Sequence, residues 1–171
     1  MKNIVTIFLV LFVNMAFSQD TPQRKPFELI LNVDGENFYR QDVKASPYFV
    51  KEKILQIYPS EKLNIEVEIL GDTIASMKVV DKNTNPKKTI ELEIKQQSTN
   101  KIHEQIILTV NNPFDKSLLY DAHMYRVGDD QWRKTSIIPV GQNCRHLKCG
   151  RILLSASSLT TGGLRNKTWC K

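Results

Sequence analysis

The residues best suited to chemistry gather near the C-terminal end, where Cys144, His146 and Cys149 stand close in sequence and Cys170 follows shortly before the end of the chain. Three thiols and an imidazole are the donor inventory of a structural zinc site, and they also suit copper(I). The spacing argues against that use, because zinc knuckles set cysteines about two to four residues apart and then repeat the pair. Cys144 and Cys149 enclose four residues, but no second pair follows, and no Cys-x-x-Cys marks a redox dithiol. The preferred reading is a staple, since cysteines of exported proteins usually pair. Either Cys144 and Cys149 close a small disulfide loop, or one of them ties Cys170 back to the body, and the odd count leaves one thiol over.

The histidines are His103, His123 and His146. A hydrolytic triad could be drawn from His123, Asp121 or Asp115 and a serine, but no G-x-S-x-G elbow fixes a nucleophile. Glu66, Glu68, Glu91 and Glu93 could supply the paired carboxylates of a glycosidase. Each alternates with apolar residues, which makes them the wet faces of strands. Walker, dinucleotide-binding, HExxH and EF-hand patterns are lacking. No catalytic residue is assigned and no cofactor is expected. What remains is a candidate binding face of Asp121, His123, Tyr125 and Trp132. Leu118, Tyr120, Ala122 and Met124 share the opposite, core-facing side of the same run.

These residues need a scaffold, and composition indicates its class. The chain of 171 residues is 41% hydrophobic and 25% charged, an ordinary globular balance. Residues 1–18 read as a secretory signal peptide, with Lys2, an apolar run from Ile4 to Val13, and the small residues Ala16 and Ser18 before a cut. That run is short of the roughly 20 residues needed to span a bilayer, and no later stretch is apolar enough to do so. The expected product is secreted or periplasmic. Losing Lys2 with the signal lowers the formal charge from +6 to +5. The basic residues are scattered without interleaved aromatics, which disfavours nucleic acid as a partner.

Residues 19–26 are a polar leader and 27–171 form one domain. Period-two alternation marks strands at Phe27–Val33, Leu63–Ile69, Ile74–Val80, Ile90–Lys95, Ile106–Val110 and Leu118–Met124. Further strands are expected from Trp132 to Val140 and from Arg151 to Ser155. Gln96–Lys101 reads as a polar junction, and Ala156–Lys171 as a mostly loop-like tail. A short helix near residues 47–58, with Ser46 as N-cap and Pro47 first, is preferred over two strands at Tyr48–Val50 and Lys53–Tyr58. The expected fold is mainly β: an antiparallel β-sandwich, immunoglobulin-like in architecture. The expected function is a noncatalytic binding or structural module for an envelope or extracellular partner, whether a protein, a glycan or an envelope surface. The alternative is a small secreted metal-binding protein or hydrolase using the Cys144/His146/Cys149/Cys170 cluster or His123.

Overall fold

The computed structural model describes residues 22–126, 131–135, 140–141 and 154–165, with backbone alone for Arg126 and Leu154–Arg165. The strands run β1 (Gln23–Arg24), β2 (Phe27–Asn32), β3 (Phe38–Val43), β4 (Ser46–Pro47), β5 (Phe49–Lys51), β6 (Ile54–Ile57) and β7 (Lys62–Leu70). They continue with β8 (Thr73–Val80), β9 (Thr89–Thr99), β10 (Ile102–Asn111), β11 (Ser117–Arg126), β12 (Trp132–Thr135) and β13 (Leu154–Arg165). The fold is therefore mainly β, and its strand pairs are antiparallel.

A four-stranded sheet has the order β10-β9-β7-β8, and a five-stranded sheet has the order β12-β11-β13-β6-β5. Alternation explains why both have an oily side. On β7, Leu63, Ile65 and Val67 are buried, while Asn64 and Glu66 between them are half-buried. Ile90, Leu92 and Ile94 do the same on β9, as do Ile106, Leu108 and Val110 on β10. These side chains join Leu55 and Ile57 of β6 and Leu118, Tyr120, Ala122 and Met124 of β11 in one buried cluster. Each fully buried aliphatic side chain contributes about 1.5–3 kcal/mol of transfer free energy.

A second, smaller cluster lies under the β2–β3 hairpin. Leu29, Leu31 and Val43 are buried there, with Phe27, Tyr39 and Tyr58 packed against them. Asp34 and Gly35 turn this hairpin, with Gly35 at φ +97°. Asp34 accepts hydrogen bonds from the Asn37 side chain and the Asn37 and Glu36 backbones, which hold its carboxyl below the ordinary value.

Several expectations need correction. No helix forms over 47–58: β4, β5 and β6 occupy the region. Ile54 to Ile57 alternate half-buried and buried positions, a period of two that places Leu55 and Ile57 in the core. The polar junction Gln96–Lys101 is the tip of a long hairpin. Asn100 and Lys101 take φ +51° and +61°, the conformation a tight two-residue turn requires. The tail expected to be loop-like contains β13, hydrogen-bonded between β11 and β6.

The disulfide expectation is corrected too. Among the described residues there is no cysteine and no disulfide, since Cys144, Cys149 and Cys170 lie outside them. The C-terminal part of the described chain is held by main-chain pairing. β13 lies between two strands, and Leu118 and Val140 exchange backbone hydrogen bonds of 2.8 and 3.1 Å. The expected signal peptide also lies outside the described residues. Among those described, no helix is long and apolar enough to cross a membrane.

Candidate functional site

The β11–β12 hairpin positions the expected binding face. Ala122 and Met124 of β11 are buried, so strand alternation turns Asp121, His123 and Tyr125 to the other side. The register sets His123 opposite Lys134 and Tyr125 opposite Trp132. The two aromatic rings meet edge to face, with centroids 5.8 Å apart and an interplanar angle of 62°. Trp132 is 45% exposed, whereas Tyr120 is buried in the core and adds nothing to this surface. Beside the rings, Lys134 Nζ contacts Asp121 Oδ1 at 3.0 Å, a solvent-exposed ion pair. Such a pair contributes little to stability. It gives the Asp121 carboxylate a partner in Lys134.

The hairpin thus offers an open indole face, a phenol ring that steadies it, and charges of both signs alongside. Aromatic rings with few rotatable bonds contribute large contact area at low entropic cost, and Trp and Tyr dominate binding hot spots.

Cys144, His146, Cys149 and Cys170 lie outside the described residues. Among those described, no group of three or more His, Cys, Asp or Glu is placed to hold a metal ion. Glu66, Glu68, Glu91 and Glu93 sit on strands with polar neighbours. Asn85 and Asn83 donate to Glu66 and Glu91, Ser76 donates to Glu68, and Lys95 pairs with Glu93 at 2.8 Å. These contacts suit solvated strand faces rather than a sugar-cleaving pair.

Sequence reasoning missed a dense cluster of polar contacts around Arg24. Arg24, in the stretch read as leader, is 1% exposed. Its Nε and Nη2 contact both carboxylate oxygens of Glu61 at 2.5 and 3.1 Å. Nη1 donates to Ser46 Oγ at 3.0 Å and Nη2 to the Gln56 carbonyl at 2.7 Å. The guanidinium carbon lies 4.9 Å from the Tyr48 ring centroid and 4.7 Å from that of Tyr58. Burial, and secondarily the Glu61 charge at Tyr48, raises both phenol pKa values, with Arg24 acting against the shift. A lone arginine between Pro22 and Pro26 carries no periodic signal, so only its distant partner Glu61 makes it legible.

A cleft of about 730 Å³ opens beside this node, lined among others by Pro22, Lys25, Tyr48, Lys78 and Asp81. Arg24 and Glu61 satisfy each other and neighbouring groups at its wall. No oriented, unspent charge therefore faces into it from the node, and the node reads as structural. Comparisons with family models, with curated proteins and with solved structures return no match, so the function is read from the geometry of the chain itself.

Proposed function

We propose that this chain is a noncatalytic binding module that works outside the cytoplasm and holds an envelope or extracellular partner, a protein or a glycan, through the β11–β12 hairpin. The observation that carries this reading is the exposed Trp132 ring set edge to face against Tyr125, with Asp121, His123 and Lys134 alongside. Saccharide rings and protein side chains both pack on such a surface, and the neighbouring charges orient them by hydrogen bonds. Support for an immunoglobulin-like sandwich comes from the single buried cluster drawn from both large sheets. Support for export comes from the charged start, apolar run and small-residue cut of residues 1–18.

The test is co-sedimentation of the purified protein with isolated cell-envelope material. Trp132→Ala removes the exposed ring without opening a buried cavity, so its circular dichroism spectrum and melting temperature should match those of the wild type. Retention on the envelope fraction should fall at least about tenfold, the effect of removing a hot-spot aromatic. Equal retention by the folded variant would refute the role of this hairpin.

A further inference from the structure

The strand β10 has an edge that the described chain leaves open. Among the described residues its only sheet neighbour is β9. Which backbone groups point outward follows from the strand inside it. Ile94 donates its N–H to the Glu61 carbonyl, and its own carbonyl accepts from Ser60 N–H. Its backbone groups are thus spent on the β7 side, and alternation turns those of Glu93 and Lys95 toward β10. Thr109 and Ile107, opposite Glu93 and Lys95, bond to β9. Ile106, Leu108 and Val110 therefore direct their N–H and C=O groups away from the sheet.

Natural proteins blunt such edges with charge, proline, bulges or shortness. The other edges of the two large sheets follow that rule among the described residues. β12 is four residues long and carries Arg133 and Lys134. β5 is three residues long with a register break, and on β8 Lys53 Nζ caps the Ile74 carbonyl at 2.6 Å. From Gln105 to Asn111, β10 has no charge and no proline, and its register is unbroken. The β2 segment seals only the start of the edge, through the Asp34–Ile102 bridge and the His103 N–H donated to Val33 O. The Gln96 side chain then takes up both the N–H and the C=O of Asn32, drawing β2 off the edge before Gln105.

We propose that β10 is a self-association edge, where two copies of this chain pair β10 to β10, antiparallel, about a two-fold axis at Leu108. The sequence is self-complementary in that register. Ile106 of one copy faces Val110 of the other, so the outward-pointing residues form the hydrogen-bonded pairs. Ile107 faces Thr109, and no charge within the strand meets its like. The four-stranded sheets of both copies then become one continuous sheet. The edge belongs to a different sheet from the aromatic hairpin, so the two readings fail separately.

The test is the mass of the full chain in solution, by light scattering over a dilution series. Wild type should give twice the chain mass at the concentrated end. Ile107→Glu with Thr109→Glu sets carboxylates opposite each other across the axis and should give the chain mass. Ile107→Glu with Thr109→Lys sets opposite charges there and should restore twice the chain mass, with circular dichroism confirming that both variants fold. Exchange of the Ile106, Leu108 and Val110 amides in the wild type provides an independent readout, slow when concentrated and fast on dilution. A wild type at chain mass throughout, a folded double-glutamate variant that stays paired, an unrestored charge swap, or fast exchange at those amides at every concentration would each overturn the proposal.

Discussion

Ile65, Ile94 and Ile106 are sealed inside a cluster to which both large sheets contribute, each with relative exposure of 1% or less. Leu29, Leu31 and Val43 under the β2–β3 hairpin are also buried, but among the described residues their cluster holds only each other and the rings of Phe27, Tyr39 and Tyr58. Apolar area stabilises the first region. The second has too little of it and is fastened by polar contacts instead. At one end Arg24 spans Ser46, Gln56 and Glu61 between the Tyr48 and Tyr58 rings. At the other, Gln96 holds the backbone of Asn32 and touches His103 Nδ1 at 2.9 Å. Directional contacts of this kind fail one at a time, whereas a cluster fails as a whole.

The largest effect should come from breaking the Arg24 node. Glu61→Ala leaves a buried guanidinium without its counter-charge and should cost about 3–5 kcal/mol in urea unfolding. Replacing both partners, Arg24→Met with Glu61→Leu, should cost much less, because no charge is then stranded. Equal losses in the two variants would mean that packing, and not the ion pair, joins the regions.

A matched pair of core truncations sharpens the contrast. Ile94→Ala in the large cluster should cost about 2–5 kcal/mol of global stability. Leu31→Ala creates a similar void under the hairpin, yet it should mainly lower the local opening energy of residues 27–43. Calorimetry would show a shifted main transition for Ile94→Ala and a nearly unshifted one for Leu31→Ala. Comparable shifts would make the two clusters one cooperative unit.

The smallest effect is a pH dependence at the Gln96 end. The Asn32 backbone fixes the Gln96 amide so that its nitrogen donates to His103 Nδ1, which must then carry a lone pair. Protonation of His103 would set donor against donor. Burial lowers the His103 pKa below its ordinary 6.5. Protons therefore bind the unfolded chain more readily, and stability present at neutral pH declines as pH falls through about 6.5, levelling off below the folded pKa. Melting temperature measured against pH should show this decline in the wild type, and His103→Gln should flatten it. An unchanged profile in His103→Gln would assign the decline to other groups.

Most of the large cluster was legible in the sequence, because strands with one wet face and one dry face alternate at every second residue. Leu63-Ile65-Val67 and Ile106-Leu108-Val110 announce themselves in this way. β13 was not legible: Ser157-Ser158 and Thr160-Thr161-Gly162-Gly163 show no alternation, and its place is set by backbone pairing on both sides. The segment 47–58 misled because Ser46-Pro47 resembles a helix start, while Ser46 serves as an Arg24 acceptor. Of the candidate face, the outward direction of Asp121, His123 and Tyr125 follows from strand parity, since Ala122 and Met124 between them face the core, whereas the meeting of Trp132 with Tyr125 comes from the β11–β12 register. Arg24 and Glu61 were missed because their meaning lies in a contact between distant positions, which no local pattern encodes.

Hydrogen exchange measured residue by residue compares the two regions most directly. The amides of β2 and β3 should exchange through an opening of lower free energy than those of β7 and β9, and Glu61→Ala should widen that gap. Hairpin amides protected to the same level as Ile65 and Ile94, with and without the Glu61 carboxylate, would contradict a hairpin fastened to the main core by its polar contacts.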